Sequence, residues 1–226
     1  DVYHAYAKGY HTLGRQTLIE PMEYSSDGWF RPTRTVTSLP ANPDIKHGLN
    51  LNDDFMETYL GMQWTFWKEY APGQLSFKNN TLRMNAKGSS PADGRLLLIT
   101  PEDKCYETQV NVQVGKGNKA GLVLFYNEKA FAGVVSDGKN FTVYKNAEQT
   151  ETIPNKIGRN FKVKLKNQGN KVKMMVSKDG NAWTVLAEDV DVSYMHHNNY
   201  KGFFALRVGL LSCGKGDCLL YTSDAA

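Results

Sequence analysis

Long apolar runs are missing from this sequence, as are clustered basic residues, amphipathic-helix spacing and a cysteine framework. Each absence excludes something. No apolar stretch approaches the ~20 residues that carry a helix across a bilayer. Lys and Arg are interspersed with acids and leave a formal charge of only +4, so no face is built for a phosphate backbone. Neither a membrane nor a nucleic acid is an expected partner. Three cysteines (Cys105, Cys213, Cys218) are odd in number and unsuited to a disulfide framework or a zinc site. Cys105 and Cys213 are expected as small buried apolar residues. The opening Asp1-Val2-Tyr3-His4 is polar and lacks the charged-then-apolar pattern of a signal peptide. Gly115–Gly121 has glycines but no terminal Gly-Lys-Ser/Thr and no helix pattern after it, so a hairpin turn is expected there rather than a phosphate loop.

What is present is β grammar. A hydrophobic fraction of 41%, with 12% aromatics, is enough for a sizeable core in 226 residues. Polar and apolar residues alternate through Tyr106–Val114, Phe161–Lys166 and Lys171–Val176, as in strands with one wet face. Gly121–Tyr126 and Gly202–Leu211 are continuous apolar runs, as in strands covered on both faces. Gly117-Asn118, Asp137-Gly138, Gly169-Asn170 and Asp179-Gly180 supply tight turns between them. About a dozen short strands and no amphipathic helix give an all-β, two-sheet sandwich. The lysines around Phe161–Lys173 are expected on a solvated sheet face. Residues 1–36 read as separate hairpins, 37–51 (two prolines and a glycine without periodicity) as a linker, and 52–216 as the sandwich.

Three groups of residues then carry a resemblance. His11-Thr12-Leu13-Gly14-Arg15-Gln16, Glu20-Pro21 and Asp27-Gly28-Trp29-Phe30 resemble the segment closing the five-bladed β-propeller of glycoside hydrolase family 43. Asp53-Asp54-Phe55 with Leu60–Trp67, and Gly121–Tyr126 with Ala132-Gly133-Val134, resemble early and central strands of the C-terminal sandwich in these enzymes. Asp191–Asn198, Phe203–Gly209 and Cys213–Gly216 resemble its closing loop and strand. The resemblance implies a concanavalin A-like β-sandwich of jelly-roll type, preceded by a propeller remnant. The parent would be an exo-acting β-xylosidase or α-L-arabinofuranosidase trimming hemicellulose. In relatives the Gly-Lys-Gly turn leads into one more strand. Here 217–226 (DCLLYTSDAA) lacks that pattern and resembles translated adapter sequence, so a sheet missing its last strand is expected.

By the same resemblance the enzyme inverts, with an acid and a base ~6.5–9.5 Å apart to admit water. All three catalytic acids come from earlier blades, so none is assigned in this chain. Arg15 matches the arginine that reaches the sugar; a guanidinium fork suits vicinal hydroxyls. His11 is a candidate for the same pocket, and Phe203 for the aromatic that closes it, beside Tyr200 and Phe204. Expected ligands are xylo- or arabino-oligosaccharides. No cofactor is required; calcium is admitted, with Asp53 and Asp54 as oxygen ligands. His196-His197 is expected in a loop, since adjacent residues on an extended segment diverge and no third ligand is near in sequence. Export, to the medium or periplasm of a bacterium, is favoured over the cytoplasm. The competing function is an independent sugar-binding module that stacks its ligand on Trp64, Trp67 or Trp183.

Overall fold

A computed structural model of the chain describes residues 2–6, 9–33, 48 and 50–221. Most of the linker expected at 37–51 lies outside them. The N-terminal segment holds two small antiparallel pairs: β1 (Val2–Ala5) with β2 (Gln16–Ile19), and β3 (Met22–Tyr24) with β4 (Phe30–Pro32). The second pair closes through Ser25–Gly28, where Gly28 adopts a φ of 87° and donates its N–H to the Ser25 carbonyl. Neither pair joins the sheets of the sandwich.

The sandwich strands follow as β5 (Trp64–Phe66), β6 (Leu75–Phe77), β7 (Leu82–Asn85), β8 (Arg95–Ile99) and β9 (Cys105–Gln113). Next come β10 (Lys119–Asn127), β11 (Ala130–Ser136), β12 (Asn140–Lys145), β13 (Glu148–Pro154) and β14 (Asn160–Gln168). The last are β15 (Lys171–Ser177), β16 (Trp183–Asp191), β17 (Arg207–Cys213) and β18 (Asp217–Tyr221). One seven-stranded sheet runs β13-β12-β11-β10-β17-β8-β5, the other β16-β15-β14-β9-β18-β7-β6, with every pairing antiparallel. The all-β sandwich expected from alternation is what forms. Its α-helix among the described residues is a single turn, α1 (His197–Tyr200).

Alternation decides the burial. Along β14, Phe161, Val163 and Leu165 are buried while Lys162, Lys164 and Lys166 are not. The buried set packs between the sheets with Val110, Leu122, Leu124, Met174 and Leu210. The continuous runs behave differently. In β10 the odd residues Val123 and Phe125 join a second apolar cluster with Leu98, Phe131 and Leu211 on the opposite face of that sheet, covered in part by Trp67 and Ala92. That is why those strands are apolar on both sides.

Three expectations need correction. The sheet does not lack its last strand: β18 lies between β7 and β9, with Cys218 opposite Met84 and Leu220 opposite both Leu82 and Val112. The sandwich therefore extends to Tyr221, and only 222–226 of the presumed tail fall outside the described residues. Cys105 is exposed rather than buried, because it opens β9 on the outward parity; Cys213 is buried as expected. Gly202–Leu211 is not one strand. Lys201 (φ 57°) and Gly202 (φ 75°) kink the chain, and β17 begins only at Arg207.

Candidate functional site

The two candidates chosen from opposite ends of the sequence meet in space. The Arg15 guanidinium carbon lies 4.1 Å from the centroid of the Phe203 ring, a cation–π contact at the meeting of the N-terminal segment and the sandwich. Both side chains are exposed, Phe203 by 66%.

Local structure on each side explains the meeting. His11–Leu13 form one 3-10 turn, and Gly14 ends it with φ 77° and ψ −172°, a region open essentially to glycine alone. A Cβ on Gly14 would also lie 3.3 Å from the Ala205 backbone nitrogen. The turn is held on the sandwich by two bonds through Thr12. Its carbonyl accepts the Leu206 N–H at 2.7 Å, and its hydroxyl donates to Asn170 Oδ1 at 2.6 Å. Tyr10 adds a ring under the Lys104 ammonium at 4.5 Å.

On the other side, the Tyr126 hydroxyl donates to the Lys201 and Gly202 carbonyls at 2.8 and 3.0 Å. Asn127 Nδ2 donates to the Tyr200 carbonyl at 3.2 Å. Tied down at 200–202, the chain turns Phe203 toward Arg15 and Phe204 toward Trp67 and Tyr126.

His11 joins this cluster. Its ring stacks on His196 at 4.8 Å between centroids and lies 4.6 Å from Tyr6, whose hydroxyl is 2.7 Å from His197 Nδ1. The His197 ring in turn lies 5.5 Å from Phe203. Sequence reasoning put no third imidazole near His196-His197, because the fold alone brings His11 there. His11 and His196 stack while His197 is tilted to both, and no group of three His, Cys, Asp or Glu among the described residues is arranged to hold a metal. Burial first, and then the neighbouring His11 and His197, hold His196 below the ordinary histidine value. A neutral His196 suits its other task, since Nδ1 accepts the Asn198 N–H at 3.3 Å and caps α1.

Asp53 and Asp54 lie elsewhere, in a loop and not at the strand start expected for them. Asp53 is committed to donors on both oxygens. Oδ2 accepts from Trp64 Nε1 at 2.7 Å and Gln63 Nε2 at 3.3 Å, and Oδ1 from the Phe55 N–H at 2.8 Å. Asp54 accepts the Met56 N–H at 3.1 Å. These bonds support Phe55 in a left-handed conformation (φ 53°) and seat its buried ring beside Trp64.

The three tryptophans do not line one face. Trp64 packs against the core between the sheets, Trp67 against the second cluster, and Trp183 lies on β16 of the other sheet under the Lys164 ammonium. No shared stacking platform results.

Comparison with known proteins agrees with this fold. Residues 52–220 match the family model GH43_C2, the beta xylosidase C-terminal concanavalin A-like domain. The solved GH43 BlXynB protein of Bacillus licheniformis superposes with a TM-score of 0.78 at 20% identity, over 93% of this chain and 47% of that one. The xylan beta-1,4-xylosidase of Bacillus halodurans C-125 gives 0.74 at 19%, over 94% and 48%. A curated relative, the non-reducing end alpha-L-arabinofuranosidase BoGH43B of Bacteroides ovatus, is 27% identical over 38% of this chain and 19% of its own length. The chain thus spans about half the length of these solved structures and about a fifth of the curated relative. The chain belongs to the GH43_C2 family, the concanavalin A-like domain found at the C-terminal end of family 43 β-xylosidases.

Proposed function

We propose that this chain is the C-terminal part of an exo-acting family 43 glycoside hydrolase, a β-xylosidase or α-L-arabinofuranosidase that cleaves with inversion. In this reading the sandwich braces the catalytic body and shapes its pocket. Residues 2–33 are the end of the propeller, and the catalytic acids are contributed by polypeptide outside this chain. The observation that carries the reading is the Arg15–Phe203 contact, in which a sandwich residue faces a guanidinium from the N-terminal segment.

The chemistry follows from the two side chains. A guanidinium offers five N–H donors in a fixed plane, suited to two neighbouring hydroxyls of a xylose or arabinose ring. Its permanent charge also favours the ionised form of any carboxylate near the bound sugar. Phe203 covers one face of that plane and leaves the edges free to donate, while its ring blocks continuation of a longer chain. A pocket closed in this way releases single sugars from an end.

The test is made in the complete enzyme on aryl xylosides and arabinofuranosides. Arg15→Ala is expected to lower kcat/KM by about 100-fold or more, as loss of a charged contact to the reacting sugar does. Phe203→Ala is expected to raise cleavage of longer oligosaccharides relative to the disaccharide. An unchanged rate for the first and an unchanged chain-length preference for the second would defeat the proposal. The chain alone is expected to show no turnover.

A further inference from the structure

We infer that the aromatic-lined recess over Arg207, on the Phe204 side of the 200–206 loop, is a carboxylate site that takes a hexuronic acid. Arg207 opens β17 and is only 9% exposed. Of its five N–H donors, Nη2 bonds to the Tyr126 carbonyl at 3.2 Å and Nε is buried without an acceptor. No carboxylate pairs with it among the described residues, although nine other ion pairs form there. A buried guanidinium without a counter-charge is costly, and desolvation pulls its pKa down to about 10. The Trp67 and Phe204 rings, 5.0 and 5.1 Å from the guanidinium carbon, offset part of that cost. Trp67 Nε1 is also buried, and the carboxylate that interacts with it is that of Glu128. A nearly buried guanidinium that lines the recess with one bonded donor and no counter-charge among the described residues describes the missing half of an interaction.

Above them lies a cavity of about 450 Å³, lined by Phe66, Trp67, Asn127, Tyr200, Phe204 and Arg207. That volume is within the range of small-molecule sites. The chemistry narrows the ligand. A planar carboxylate matches the guanidinium fork, and the aromatic walls suit the C–H face of a pyranose ring. The choice of a sugar as the carrier rests on the family 43 reading, whereas the carboxylate does not.

The test is titration of the chain with D-glucuronate, following the Trp67 indole N–H by NMR. Saturable binding is expected, with D-glucose, which keeps the ring and lacks the carboxylate, at least about tenfold weaker. Acetate, which keeps the carboxylate alone, should also bind more weakly than glucuronate. Arg207→Met should abolish the difference between glucuronate and glucose. Absence of saturable glucuronate binding, equal affinity for glucose, or full binding by a folded Arg207→Met would overturn the site. Acetate binding as tightly as glucuronate would overturn the sugar and point to a carboxylate carried by a polypeptide. If Arg207→Met does not fold, the glucuronate–glucose comparison in the unaltered chain decides. None of these readouts needs turnover, so they stand or fall separately from the Arg15 assay.

Discussion

Replacing Thr12 by alanine should loosen the N-terminal segment from the sandwich while leaving the sandwich itself intact. Thr12 is 6% exposed, and its hydroxyl donates to Asn170 Oδ1 at 2.6 Å. Alanine removes that donor and leaves the Asn170 oxygen behind, at a cost of about 1–3 kcal/mol. Asn170 is only partly buried and can recover water, so the lower half of that range applies. About 1–2 kcal/mol raises the undocked population roughly 5–30-fold. The Leu206 amide reports it directly, because its hydrogen bond is to the Thr12 carbonyl at 2.7 Å. Hydrogen exchange at Leu206 should accelerate by about that factor in Thr12→Ala, since local opening is what exchange measures. Amides of β10, paired on both sides, should not change. Thr12→Ser keeps the hydroxyl and should restore most of the protection. The reasoning fails if Leu206 exchanges at its original rate, or if β10 accelerates equally, which would mean that Thr12 supports the whole fold.

Three further outcomes are expected. Asp53→Ala strands the Trp64 indole N–H and the Phe55 amide, and should lower unfolding stability by about 2–3 kcal/mol in urea titration, with added calcium giving no stabilisation of the unaltered chain. His196 is held below the ordinary histidine value in the fold, so the unfolded chain takes up the proton first as pH falls. Stability should therefore drop below about pH 6.5, and a melting series in His196→Asn should show a shallower drop. Cys105 should react at once with a thiol reagent. Cys213, whose thiol is pushed up to about 12 by burial, and buried Cys218 should react only on unfolding.

How much of this was legible in the sequence depends on the reach of each signal. Lysine at every second position of β14 announced a strand with one wet face, and the structure places Phe161, Val163 and Leu165 inward. Parity along β9 would have revealed Cys105 as outward, since Val110 and Val112 of opposite parity point inward. Strand β18 was illegible because five residues show too little alternation; only its register against Leu82–Asn85 and Asn111–Gln113 defines it. The kink at Lys201-Gly202 hid inside an apolar run, and with it the divergence of Phe203 from Phe204. Arg207 leaves a trace in the sequence: a lone cation within Phe203–Leu211, where every other residue is apolar or glycine. Arg15 and Phe203 are each candidates by resemblance, but their contact spans most of the chain, and no local pattern carries that information.

The position of β18 has a consequence for how the chain is made. Among the described residues it is the last strand in chain order, yet it sits two places in from one edge of its sheet, between β7 and β9. Until it emerges, the β6–β7 hairpin has nothing to join, because β9 can reach it only through the late arrival. Synthesis proceeds from the N-terminal end, so the nascent domain must wait with a half-built layer, its open seam exposed to other nascent chains. Such sequence-distant closure is slow, and it makes assembly of the domain close to all-or-none.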